Sequence, residues 1–284
     1  MHDLNEELLH QAIENVKANL IRLTQLEMVT EDQAAQVMDK IQVSAVMEDA
    51  GSEADLVIEA VTENLELKQK LFRDLDNLCP ERTILGSNTS TLLPSKLATV
   101  TKRPEKVLVI HYINPPYLIP LVEIVRHADT ADETVTAVYD LLIKIGKRPV
   151  VLQKEVPGFI VNRLQVALLR ESLSIVERGI ASPQDVDTVI KTSLGRRWAA
   201  AGIFAVLDFG GWDVLSAVTA NLLPEIESST ELSSLLKEKV ERGELGVKSG
   251  KGFYDYTPGS ADELRKYIQT VLAKLEQISR ETDQ

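Results

Sequence analysis

Apolar residues recur at intervals of three and four near the start of the chain, at Leu8, Ala12, Ile13, Val16, Leu20 and Leu23. This spacing predicts a helix over residues 4–26. Asp3, just ahead of it, stands where an N-cap belongs. A second helix is predicted over 31–40, opened by Thr30 with Gln33 three residues on, the reciprocal capping pattern. The period then changes. Short runs rich in Val and Ile follow at 41–46, 55–61, 83–89 and 106–113, as befits strands covered on both faces. Helical stretches lie between them at 65–79 and 95–100. Two further strands are predicted at 121–127 and 148–153, with a helix at 131–146 between. Strands alternating with helices imply βαβ units and a parallel twisted sheet.

After Pro157 the texture is helical to the end. A long pattern carries Ile160, Leu164, Ala167, Leu168, Leu173 and Val176 and stops at Gly179. Ser182-Pro183 with Asp185 starts another helix. The expected organisation is an α/β domain over 1–155, a helical domain over 156–256 and a C-terminal helical extension over 257–284. In that extension Leu264, Ile268, Val271, Leu275 and Ile278 form a narrow seam at alternating intervals of four and three. The seam is too short for a stable coiled coil alone, so it packs either on its own helical domain or on a second subunit.

Composition narrows the function classes. With 284 residues the chain is long enough for two domains, and 44% hydrophobic content is that of a globular protein. The formal charge is −12 and no basic cluster interrupts it, which argues against nucleic acid as a partner. A single cysteine, Cys79, leaves no internal disulfide framework. The four histidines, His2, His10, His111 and His127, form no tight cluster, so no metal site is expected. The acidic, amphipathic start lacks a secretory pattern, and the longest apolar runs, such as 199–207, fall short of the roughly 20 residues a membrane span needs. A soluble cytoplasmic protein with no membrane partner is the expectation.

Candidate chemistry lies at the strand ends, since an open parallel sheet binds ligands beyond the carboxyl ends of its strands. One strand ends in Glu59 to Asn64, the next in Ser87-Asn88-Thr89-Ser90, the next in His111 to Asn114-Pro115-Pro116. Each alone reads equally as a cap or turn; side by side they point to a site. His111 is the sharpest of them, because removing hydride from a carbinol carbon needs a base poised near neutrality. Glu123 follows twelve residues later among apolar neighbours. It is either a buried carboxylate, which would need a partner such as a histidine ring nitrogen, or a surface residue on an edge strand. His111 by itself is either packed or catalytic.

The segments DLVIEAVTENLELKQKLF, SNTSTL, HYINPP followed by LVEIV, VPGFIVNRL and GVKSGKGFYDY, in that order, resemble the NAD-dependent L-3-hydroxyacyl-CoA dehydrogenases, 3-hydroxybutyryl-CoA dehydrogenases among them. The likeness runs from Asp3 to Tyr256. It implies a Rossmann-like doubly wound sheet followed by an all-α domain, NAD as cofactor, a small hydroxyacyl substrate and a homodimer. It implies His111 as catalytic base, Glu123 as its partner, Ser90 as the residue that bonds the substrate oxygen and meets the cofactor, and Asn162 as the residue that completes the site from the helical side. Asp3, Glu63, Lys68, Asn114 and Lys248 match positions that contact the dinucleotide, Asp3 at the ribose hydroxyls. The apolar stretch 199–209 adds a reason to expect a dimer.

The likeness has gaps. The family opens with a strand, a GxGxxG turn and a helix, whereas here the first glycine is Gly51. The expectation is a piece of a longer or mis-started reading frame whose sheet lacks its first, central strand; the alternative is a protein that has lost its cofactor cradle. The family's coenzyme A contacts have Asn19 and Leu26 as counterparts, with Lys17 and Arg22 nearby as substitutes. PPYLIPLVE carries Ile and Pro where the thioester enzymes have Met and Lys, and GRRWAAAGIFAVLDFGGWD differs from their PMGPF segment. Arg196 and Arg197 are either surface arginines or a clamp for a free carboxylate. A short-chain hydroxyacyl-CoA is the expected substrate. A free 3-hydroxy acid, as in carnitine or gulonate dehydrogenases, is the alternative, and an inactive structural relative like lambda-crystallin is the alternative of another class.

Overall fold

Five strands form the sheet that carries the candidate site: β1 (Leu56–Glu59), β2 (Ile84–Ser87), β3 (Val107–Tyr112), β4 (Leu121–Val125) and β5 (Arg148–Leu152). In the computed structural model, which describes residues 1–282, they lie side by side in chain order. The pairs β1–β2, β2–β3 and β4–β5 are parallel, but β3 and β4 are antiparallel. This corrects the expectation of a parallel sheet throughout. Only residues 113–120 join β3 to β4. A parallel crossover needs about a dozen residues or more, so β4 has to return as a hairpin partner.

Three helices precede the sheet: α1 (Glu6–Gln25), α2 (Glu31–Asp39) and α3 (Met47–Gly51). α4 (Leu65–Leu78) joins β1 to β2, α5 (Pro94–Ala98) joins β2 to β3, and α6 (Asp132–Lys144) joins β4 to β5. α4 starts where the Asn64 side chain accepts the Leu67 N–H, and it buries Phe72 and Leu75 with Leu97 of α5 against Leu85 and Val107. On the opposite face α6 buries Val135, Val138 and Leu142 against Leu108, Ile110, Val122 and Ile124. The alternation along β3 assigns Val107, Val109 and His111 to one face and Leu108 and Ile110 to the other. Helices thus cover both faces, and the layering is Rossmann-like.

Two local expectations change. Residues 41–46 form no strand ladder. Ser44 makes one parallel bridge to His2, with Ser44 N–H on the Met1 carbonyl, and a strand needs a partner along its length. The cap of α1 is Asn5, whose side chain accepts the N–H groups of Glu7 and Leu8; Asp3 instead accepts the Asn5 N–H at 2.9 Å. The capping box of Thr30 and Gln33 forms as the sequence suggests.

The chain divides into two compact units, 1–162 with 269–284, and 163–268. The second unit contains most of α7 (Val161–Glu177), then α8 (Pro183–Val189), a π-helical turn Ile190–Leu194, α9 (Gly195–Asp208), α10 (Trp212–Leu222) and α11 (Ser234–Glu241). Its apolar side chains are poorly covered: Phe204 is 74% exposed and Phe209 94%. The last helix, α12 (Pro258–Thr282), begins in the second unit and ends in the first. Within the first unit it packs through Ala273 and Glu276, both buried. The seam residues from Leu264 to Ile278 are partly exposed, each between 38% and 57%.

Gly86 shows how tightly β2 is held. A Cβ there would lie 2.7 Å from Ile110 Cδ1 and 3.3 Å from the Val57 carbonyl. Gly86→Ala is expected to cost about 1–3 kcal/mol, read as a lower urea midpoint at unchanged slope.

Candidate active site

The hairpin register of β3 and β4 sets His111 directly opposite Glu123, on the face shared with Val109 and Val125. Both side chains are buried, His111 at 5% and Glu123 at 1% exposure. His111 Nδ1 lies 2.8 Å from Glu123 Oε2. An ionised carboxylate only accepts, so Nδ1 carries the proton and the lone pair sits on Nε2. That nitrogen accepts from the Ser90 hydroxyl at 3.1 Å. Phe159 stands edge-on to the imidazole with ring centroids 5.4 Å apart. The turn before α7 puts it there: Gly158 and Phe159 both adopt positive φ, 77° and 51°, a conformation strained for a bulky side chain.

The second oxygen of Glu123 is equally occupied. Oε1 accepts the N–H groups of Ile160 at 2.8 Å and Val161 at 3.0 Å, at the N-terminus of α7. A carboxylate at a helix N-terminus satisfies orphan donors and meets the positive end of the dipole. Burial alone would push the Glu123 carboxyl up; the bonds from His111, Val161 and Ile160 outweigh it and hold it below its ordinary value. With the helix start fixed, Asn162 donates from Nδ2 to the Ser90 carbonyl at 3.2 Å. Ser90, His111, Glu123 and Asn162 therefore meet in one cluster within the first unit.

Around this cluster the strand ends are polar and braced. Asn88 Oδ1 accepts the Tyr112 N–H at 2.8 Å. Glu63 accepts hydrogen bonds from Thr89 and Thr91; these, with Lys68, overcome the opposing effect of burial and keep its carboxyl low. Lys68 is buried and its three donors are engaged: Glu59 Oε1 at 2.6 Å, the Val61 carbonyl at 3.0 Å and Glu63 Oε2 at 3.4 Å. Ser87 donates to the other Glu59 oxygen at 2.5 Å. Lys68 thus has no spare donor and acts by holding Glu63. Sequence reasoning placed Glu59 and Ser87 among the polar strand ends without giving either a role, and it did not select the Ile160 and Val161 amides. Glu59 carried the same signal as Glu123, an acid inside an apolar strand, whereas backbone amides carry none.

Asn114 is exposed in the loop after β3, and Asp3 bonds the Asn5 amide beside the His2 bridge. Lys248, Arg196 and Arg197 belong to the second unit, are exposed, and are not members of the hydrogen-bonded cluster. A dinucleotide fits the chemistry at the strand ends. Half-exposed Glu63 offers an acceptor for hydroxyls, and exposed Ser90 and Asn114 offer neutral donors and acceptors. Residues 1–50 themselves contain no glycine.

The chain matches the model of the 3-hydroxyacyl-CoA dehydrogenase NAD-binding domain over residues 1–156 and that of the C-terminal domain over 158–256. It is 39% identical over 217 residues to 5-formyl-3-hydroxy-2-methylpyridine 4-carboxylate 5-dehydrogenase of Mesorhizobium japonicum, covering 76% of this chain and 70% of that protein. It is 36% identical over 257 residues to a probable 3-hydroxybutyryl-CoA dehydrogenase of Bacillus subtilis, covering 90% and 88%. A solved structure of a 5-formyl-3-hydroxy-2-methylpyridine 4-carboxylic acid 5-dehydrogenase, described as an NAD+-dependent dismutase, superposes with a TM-score of 0.90. The two are 32% identical, over 98% of this chain and 89% of that one.

The Glu123 bonds have a pH signature. Its folded value lies below the ordinary 4.5, so its contribution is present above 4.5 and is lost as pH falls through the lower folded value. Glu123→Gln is expected to cost about 1–3 kcal/mol at neutral pH, because one amide cannot accept from both sides. Urea midpoints measured from neutral to acid pH should fall more steeply in the native protein than in Glu123→Gln.

Proposed function

The chain belongs to the 3-hydroxyacyl-CoA dehydrogenase family of NAD-dependent oxidoreductases, and from that premise we propose that it oxidises a short-chain (S)-3-hydroxyacyl-CoA, such as 3-hydroxybutyryl-CoA, to the 3-oxoacyl-CoA. The observation that carries this reading is the Ser90–His111–Glu123 relay. The substrate hydroxyl takes its place beside Ser90 Oγ and His111 Nε2, and its proton passes to Nε2. Glu123 stabilises the resulting imidazolium through Nδ1–H. NAD, when bound, takes up the hydride from the carbinol carbon. Once Nε2 is protonated, the Ser90 hydroxyl is released to donate to the forming carbonyl oxygen, with Asn162 beside it. Both are neutral donors and bind the product oxygen without trapping an anion. Glu63, Asn114 and Lys248 are the residues that would hold the dinucleotide, and Lys68 would support Glu63. Asp3 disfavours a 2′-phosphate and so selects NAD over NADP.

One observation favours a free hydroxy acid as a second reading. Both α1 cations available to coenzyme A phosphates are already engaged. Lys17 pairs with Glu14 at 2.7 Å, and Arg22 donates to Gln269 at 3.2 Å and to Thr270 at 2.9 Å. The Mesorhizobium relative, named for a pyridine carboxylate, points the same way. On this reading Arg196 and Arg197 hold the carboxylate. Turnover of 3-hydroxybutyryl-CoA set beside free 3-hydroxybutyrate at equal concentration decides: a preference for the free acid would replace the thioester. Rates near wild type for His111→Ala, against an expected loss of about 100- to 10,000-fold, would reject the general base altogether.

The working unit on this reading is a homodimer in the cytoplasm. Among the described residues no single helix is long and apolar enough to cross a membrane. Yet Phe204, Phe209, Trp212 and Val214 are more than half exposed, a patch that water disfavours and a second copy would cover. Light scattering at micromolar concentration is expected to give twice the chain mass of 31.5 kDa.

A further inference from the structure

Residues 257–284 lie beyond both family models, yet the C-terminal half of α12 packs into the unit that holds the relay. Its contact is specific. Gln269 Nε2 donates to Tyr117 Oη at 2.8 Å, while Gln269 Oε1 accepts from Arg22 Nε at 3.2 Å. A guanidinium only donates, so it fixes which end of the amide faces Tyr117. Arg22 also donates to Thr270 Oγ1 at 2.9 Å, and Gln277 donates to the Leu26 carbonyl at 3.2 Å, so α12 is moored to the C-terminal end of α1 from Gln269 to Gln277.

Tyr117 lies in the connection 113–120, which leaves β3 just after His111 and enters β4 just before Glu123. Asn114 stands on the same loop, exposed. Two other anchors hold this loop from the sheet side. Lys147 donates to the carbonyls of Pro116 and Ile119, and Leu118 is buried. The Gln269 bridge holds it from α12.

We propose that Gln269 is a positioning residue: through Tyr117 it fixes the 113–120 loop, and with it Asn114, beside the relay. The proposal rests on the dehydrogenase reading and extends it to a segment the family models do not include. Loss of the bridge weakens cofactor or substrate capture and leaves the proton transfer itself intact, because His111 and Glu123 are held by the strand register.

Gln269→Leu removes both contacts. Gln269→Glu keeps them, one oxygen accepting from Arg22 and the other from the Tyr117 hydroxyl. Amide hydrogen exchange of the 113–120 peptide is read beside KM and kcat for NAD. For Gln269→Leu the expected result is faster exchange confined to that loop and a KM for NAD raised about tenfold, the weight of one or two hydrogen bonds, with kcat within about threefold. Gln269→Glu is expected to restore both readings. Tyr117→Phe, which leaves α12 untouched, is expected to reproduce the loop exchange if Gln269→Leu misfolds. Unchanged loop exchange, faster exchange without a change in KM, or a Glu variant as impaired as the Leu variant would each overturn the proposal. A wild-type chain without dehydrogenase turnover would overturn the function instead. The loop exchange and NAD affinity by calorimetry would then still decide the role of Gln269, and no calorimetric binding would overturn that as well.

Discussion

One buried carboxylate ties the site together. Glu123 spends one oxygen on the imidazole of β3 and the other on the first amides of α7. Among the described residues no lysine or arginine pairs with it. Its charge is met by a ring N–H and by the positive end of a helix, both oriented before any substrate arrives. Removing it would free the ring to change tautomer and would release the helix start that brings Asn162 to Ser90. Proton chemistry and the placement of the orienting asparagine are therefore one problem with one solution.

The hairpin makes that solution possible. His111 and Glu123 face each other because β4 runs back along β3, so the spacing between them is a consequence of register and loop length. In an antiparallel pair, opposite side chains share a face and a short distance. The surrounding sheet is parallel where it presents Glu63 and Ser90 at neighbouring strand ends. The site thus combines parallel strands that align polar ends with a single antiparallel step that builds the dyad.

Much of this was legible in the chain. The βα alternation, the helical second half and the capping box of Thr30 all follow local rules that act over a few residues. His111 and Glu123 stood out because each is a titratable residue in an apolar strand run. The direction of β4 was also available, from the length of 113–120, although βα alternation alone suggested otherwise. What could not be read depends on distant partners. Residues 41–46 have strand composition but only a single bridge to His2. Lys68 sits in an amphipathic helix where lysines ordinarily face water, and only the fold brings Glu59 to it. Within the first unit α12 makes its contacts through the small, buried Ala273 and the polar Gln269 and Gln277, which find hydrogen-bond partners in Tyr117 and the Leu26 carbonyl that no local pattern announces.

The Glu59–Lys68 pair carries a lesson about inheritance. Both partners are almost completely shielded from water, so loss of either leaves a charge stranded in the interior, at about 3–5 kcal/mol. That is a large part of a typical domain's stability. A lineage cannot drift at position 59 without changing position 68 in nearly the same step, and a matched apolar pair, though tolerable for packing, would abandon Ser87, the Val61 amide and Glu63 together. The two positions are thereby expected to vary as a unit or not at all among descendants of this chain, whatever substrate those descendants come to accept.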